Sequence, residues 1–292
     1  MANLETIRIG LGALSANQCI PWLCREAGLF REEGLDAVIT FEPPAVRTLA
    51  VVVDGEVDVG LFGGYPVVRA AVECKNAEIV LNLNGFNHLS IVAQPGIESP
   101  RDLKGRRIGG FSLKGNADFT LDLLFAEWGL TGEPGDPERV PYWDGFQAAC
   151  EGLLAGEVEA AILPRCPSAA GPSKRDMTYQ GGVGFALKSL AAEKKELADR
   201  FLRAHSMGVR RFKSDPDLAR RVLRDNLPSM GDEENLEATY AFWAEHIPDP
   251  PVPSLEGVQV ILDGISGDLP KARSVRPIDC VAKALWPQLK AD

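Results

Sequence analysis

The chain has 292 residues, 45% apolar and 25% charged, with a formal net charge of -10. That length exceeds one ordinary domain of roughly 100–200 residues. The acidic balance argues against nucleic acid or an anionic membrane surface as a partner, and no apolar run approaches the ~20 residues that span a bilayer.

Thr6 to Leu11 alternates as a strand and ends at Gly12. A helix is expected from Asn17 to Ala27, stopped by Gly28 as a C-cap signal. Leu35–Phe41 reads as a strand, Pro44 opens a helix to Asp54, and Val57–Phe62 is the next strand. A helix to Cys74 follows Gly63-Gly64-Tyr65-Pro66, then a strand over Ala77–Leu83. Strand and helix alternating at this spacing predict βαβ units and a mostly parallel sheet.

The pattern restarts after Asn84-Gly85-Phe86-Asn87. Strands are expected over His88–Ala93, Arg106–Phe111, Arg139–Tyr142 and Val158–Leu163, with helices over Ala117–Trp128 and Gly145–Leu154. Pro164 to Met177 is rich in Pro, Ser, Ala and Gly and reads as a loop or crossing. From Ser189 the chain is helical. Leu190–Phe212 has helical spacing, and Asp215-Pro216 supplies an N-cap and a first-turn proline. Further helices are expected near Glu233–His246 and Leu255–Ile265.

The first ten residues carry no basic segment followed by an apolar one, so no signal peptide is read there. Cys19, Cys24, Cys74, Cys150, Cys166 and Cys280 match neither a disulfide framework nor a zinc spacing. Six unpaired thiols fit a reducing compartment. The expected location is cytoplasmic, or periplasmic if a leader has been removed. Three distant histidines exclude a His-rich metal site; no metal and no cofactor is expected.

Several short motifs run along nearly the whole chain. They are Ile7-Arg8-Ile9-Gly10; Trp22 with Glu26-Ala27-Gly28-Leu29-Phe30 and Glu33-Gly34-Leu35; Gly55-Glu56-Val57-Asp58-Val59-Gly60; Ser99-Pro100-Arg101-Asp102-Leu103-Lys104-Gly105; and Pro253-Ser254-Leu255-Glu256-Gly257-Val258-Gln259. In this order the chain resembles periplasmic-type substrate-binding proteins, the type II superfamily that takes nitrate, sulfonates, taurine and thiamine-pyrimidine precursors. The resemblance implies an α/β fold of two lobes closing on a ligand, lobe 1 from 1–86 and 187–292 and lobe 2 from 87–186. It implies a small-molecule ligand, an ABC transporter permease as partner, and a monomer. The turn before Trp22, Gln18-Cys19-Ile20-Pro21, departs from the small or hydroxyl residues usual in relatives.

In parallel α/β sheets, ligands meet the carboxyl ends of strands and the amino ends of the next helices. Three segments fit that rule. Ser15, Asn17, Gln18 and Cys19 follow the first strand; Gly63, Gly64 and Tyr65 follow the third; Ser112, Lys114, Gly115 and Asn116 follow a lobe 2 strand. Each offers N–H groups and a side-chain donor to a carboxylate, sulfonate or phosphate, or caps a helix facing water. Tyr65, Trp143 and Phe111 are candidates for an apolar wall or for plain packing, and Arg165 for a charge beside Cys166.

Two functions stay open. One is a solute-binding protein for a small anionic organic molecule. The other is a cytoplasmic, metal-independent lyase, decarboxylase or desulfinase with Cys19 as nucleophile and His88 or Cys166 in support, since enzymes that resemble this family use a cleft thiol. For Cys19 the competing reading is a buried small hydrophobe. The thiamine-pyrimidine synthases of the same fold carry a cysteine-rich cluster, and none occurs here.

Overall fold

The computed structural model describes residues 4–42, 45–73, 76–111, 113–130, 135–164, 178–227, 230 and 232–289. The chain divides into two compact units, Met1–Phe86 with Thr178–Asp292, and Asn87–Met177.

The first unit begins with β1 (Glu5–Leu11), a 3-10 turn (Ala16–Gln18), α1 (Ile20–Glu26), α2 (Leu29–Glu32), β2 (Leu35–Phe41), α3 (Ala45–Val53), β3 (Val59–Gly63), α4 (Gly64–Val72) and β4 (Ala77–Phe86). The helix expected over Asn17–Ala27 is split at Cys19: the turn closes through Gln18 N–H to Ser15 O before α1 starts. The second unit contains β5 (Leu89–Ala93), β6 (Arg107–Gly110), α5 (Asn116–Trp128), β7 (Glu138–Pro141), α6 (Phe146–Leu154) and β8 (Ala160–Pro164). The chain then returns through β9 (Thr178–Leu187) to α7 (Lys188–Glu193), α8 (Lys195–Ser214), α9 (Pro216–Asn226), α10 (Glu233–His246) and α11 (Leu255–Ile265). The single helix expected over Leu190–Phe212 is two, interrupted at Lys194.

The sheet of the first unit runs β2-β1-β3-β9-β4. β1 is parallel to β2 and β3, while β9 is antiparallel to β3 and β4. Four strands therefore share a direction and β9 alone is reversed. Residues 178–186, expected in lobe 2, pair in this sheet instead. No element is assigned in sequence to the Gly-rich run Gly181-Gly182-Val183-Gly184, whose small residues let neighbours approach: a Cβ on Gly184 would press on Leu81, and one on Gly182 on Asn84 and Asn17. The sheet of the second unit runs β5-β8-β6-β7, with only β5 reversed. Both units are α/β with mostly parallel sheets, as expected for the two-lobed type II fold.

Each unit has its own core. Ile7, Ile9, Leu61, Ile79, Val183 and Phe185 are fully buried in the first. Leu89, Ile108, Leu121, Phe125, Ala160 and Ile162 pack together in the second. Several of the motifs are joints of this scaffold. Asp58 accepts from the Arg8 backbone N–H at 2.9 Å and pairs with its guanidinium at 2.8 Å, tying β1 to β3. Ser99 and Asp102 form a capping box. Ser254 caps α11 by accepting from Gly257 N–H at 3.0 Å.

Candidate functional site

The carboxyl edge of the first unit's sheet gathers polar side chains from three segments and a backbone N–H from a fourth. After β1, Ser15 Oγ donates to Asn17 Oδ1 at 2.6 Å, and Asn17 Nδ2 donates to Asn84 Oδ1 at 2.9 Å. Asn84, in β4, donates through Nδ2 to the Phe86 carbonyl at 2.8 Å. Gln180, in β9, donates to Asn82 Oδ1 at 2.6 Å and accepts from the Ser254 backbone N–H at 2.8 Å. Asn17, Gln18, Asn82, Asn84 and Gln180 are all buried. A buried amide without partners costs about 1–3 kcal/mol, so these groups hold one another in fixed orientations.

Glycine makes the edge possible. Gly64 opens α4 directly after β3, and a Cβ there would overlap the Gln180 carbonyl. With no side chain, the α4 N-terminus seats on β9, and its first-turn N–H groups end beside the carboxyl edge. Tyr65 is buried in that first turn. Gln18 turns back on its own loop, accepting from Ala13 N–H at 3.3 Å. Thus Ser15, Asn17, Gln18, Gly63, Gly64 and Tyr65 occupy one edge of one unit. Sequence reasoning missed Asn82, Asn84 and Gln180.

The second unit's loop is different in kind. Lys114 is exposed with a positive φ of 56°, and its backbone N–H donates to Asp118 at 2.7 Å. That N–H, expected to face an anion, is already taken. Gly115 is buried and Asn116 is the first residue of α5. Trp143 is 50% exposed, and Phe111 is buried edge-on to Phe146 with centroids 5.4 Å apart, which makes Phe111 packing. Ser112, Arg165 and Cys166 lie outside the described residues, as does Cys74.

Cys19 sits at the N-cap of α1, but its side chain is 0% exposed and burial pushes its thiol up to about 12. Desolvation outweighs the helix end, so at neutral pH the sulfur is a protonated apolar group. Burial thus favours the competing reading of Cys19 as a small hydrophobe. Burial pulls the His88 imidazole down to about 4, so it is neutral at pH 7. His88 belongs to the second unit and Cys19 to the first. Among the described residues, no group of three or more His, Cys, Asp or Glu is placed to hold a metal ion, and no helix is long and apolar enough to cross a membrane.

Residues 20–167, just over half of the chain, match the family described as NMT1/THI5 like. The chain belongs to the NMT1/THI5-like family. No curated protein sequence matches it. Among solved structures it is similar to the alkanesulfonate-binding protein SsuA from Xanthomonas axonopodis pv. citri bound to MOPS, with TM-score 0.74, 18% identity, and 96% of this chain and 99% of that one covered. It is also similar to the periplasmic aliphatic sulphonate binding protein SsuA from Escherichia coli, with TM-score 0.70, 17% identity, and coverage of 97% and 99%. The periplasmic nitrate-binding protein NrtA from Synechocystis PCC 6803 superposes with TM-score 0.70 at 10% identity, with coverage of 98% and 88%. At these identities the likeness carries the fold, the two-lobed architecture expected from the motifs.

Proposed function

We propose that this chain is the solute-binding component of an ABC-type import system, and that it takes a small organic anion at the carboxyl edge of the first unit's sheet. The observation that carries the reading is the hydrogen-bonded chain from part-buried Ser15 to buried Asn17 and Asn84, beside the α4 N-terminus. Oriented carboxamides and helix-end N–H groups can hold a carboxylate or sulfonate without a buried counter-charge. The structural neighbours include sulfonate- and nitrate-binding proteins, which supports this solute class. They also support a periplasmic location. Of the thiols that suggested a reducing compartment, Cys19, Cys24 and Cys280 are buried away from oxidants and Cys150 is part-exposed.

The enzyme reading loses its nucleophile with Cys19.

The test is a thermal-shift screen of small carboxylates and sulfonates, followed by calorimetry and an NMR time course of each hit. A hit should persist unchanged for hours, bind about tenfold more weakly to Asn17→Ala, and bind Cys19→Ala as it binds the unaltered chain. A hit that turns into product, with turnover lost in Cys19→Ala, overturns the proposal in favour of an enzyme.

A further inference from the structure

The helix α10 packs through one stripe. Leu236, Thr239, Tyr240 and Trp243 are buried, followed by Ile247 just past its end. Phe242 and His246 lie beside that stripe, Phe242 part-exposed and His246 exposed. Their rings nonetheless stack, with centroids 4.3 Å apart and planes 18° from parallel. His246 Nδ1 is 2.7 Å from the Phe242 carbonyl. A carbonyl only accepts, so Nδ1 is the donor and the ring's rotation is set.

Both rings meet Phe86 at the end of β4. Phe86 is part-exposed, 6.0 Å from the Phe242 centroid, 5.4 Å from His246 and 6.1 Å from Trp243. Phe86 is also the residue whose carbonyl accepts from Asn84. The aromatic cluster therefore continues the amide chain Ser15–Asn17–Asn84 within the same unit, and α10 also lies against the 3-10 turn that carries Asn17.

A lone exposed ring is ordinary on a protein surface. Three incompletely buried rings gathered beside oriented buried amides make the mixed apolar and polar lining of a small-molecule site. Ring faces and edges also discriminate. An aliphatic group gains contact area there, whereas a planar aromatic group gains edge-to-face or offset stacking as well. We infer that Phe86, Phe242 and His246 select the solute, favouring a planar aromatic anion over an aliphatic anion of equal charge and similar size. This rests on the reading of the first unit as a solute site.

The test uses two matched pairs, benzoate against cyclohexanecarboxylate and benzenesulfonate against cyclohexanesulfonate, titrated calorimetrically into the full chain. In at least one pair the aromatic member should bind about fivefold more tightly, the size expected of one or two ring contacts. Phe242→Leu should reduce that ratio to under about twofold. Because Phe242 helps seat α10, the exposed His246→Gln is the second variant, and it should also lower the ratio. Equal binding within both pairs, or a ratio unmoved by both variants, overturns the inference and leaves the solute site standing. If none of these four anions binds and no other small carboxylate or sulfonate does, the solute site falls with it.

Discussion

At the carboxyl edge of the first unit's sheet the polar side chains are neutral and buried: Asn17, Asn82, Asn84 and Gln180 bond to one another around glycines. In the second unit the clustered polar side chains are charged instead: Arg139, the second residue of β7, is part-exposed and bridges Asp118 at 2.6 Å and Asp122 at 2.7 Å, with its guanidinium over the Phe125 ring. The contrast follows from desolvation. Burying an ion costs several kcal/mol unless it is fully paired, whereas a carboxamide needs only partners for its donors and acceptors. A buried neutral edge is rigid and ready to accept a ligand's charge. A part-exposed ionic cluster is more screened and adaptable.

Substitutions on the two sides should therefore differ in size. Gly64→Ala should be the most damaging, because the new Cβ overlaps the Gln180 carbonyl and backbone must move. Chemical denaturation should show a loss of more than about 3 kcal/mol, or no soluble protein.

Acid should come next. His205 is 1% exposed in α8, with neither ring nitrogen hydrogen-bonded, and burial pulls it from 6.5 to about 4. Above pH 6.5 the imidazole is neutral in both folded and unfolded chains and has no effect. Between 6.5 and 4 the unfolded chain binds a proton that the folded chain does not, so stability falls as pH falls. From pH 7.5 to 4.5 this one residue should cost about 2–3 kcal/mol, and His205→Leu should flatten that part of the denaturation profile. His88, in the second unit, acts with the same sign and should remain in that variant.

Asn84→Ala should cost about 1–3 kcal/mol, since it strips the acceptor from buried Asn17, and should abolish solute binding. Arg139→Gln should cost about 1 kcal/mol or less and lose most of that difference in 1 M salt. If Arg139→Gln proves as costly as Asn84→Ala, the contrast between the two polar clusters fails.

Much of this fold was legible in sequence because its joints are local. The Asp215 N-cap accepts from Leu218 N–H as the Asp-Pro pair implied, and β2 runs over the expected Leu35–Phe41. What escaped depends on partners far along the chain. β9 escaped because glycines that permit close packing look like glycines of a loop. Asn82, Asn84 and Gln180 escaped because each is a single polar residue whose partner is distant in the chain: Gln180 bonds Asn82, and Asn84 bonds Asn17. One signal was present: Asn82 and Asn84 alternate with Leu81 and Leu83 in a fully buried stretch of strand. Polar residues on one face of a buried strand require partners, and so mark a place where the chain must converge. For Cys19 the position at a helix start left two readings open, because burial is not visible in local sequence; its 0% exposure favours the small hydrophobe.

The most direct measurement follows the side-chain amide NMR signals of Asn17 and Asn84, assigned through Asn→Ala variants, while a thermal-shift hit is titrated in. The expected result is that both signals shift and saturate with the dissociation constant found by calorimetry. Saturable binding that leaves both signals unmoved would contradict a solute site at this edge.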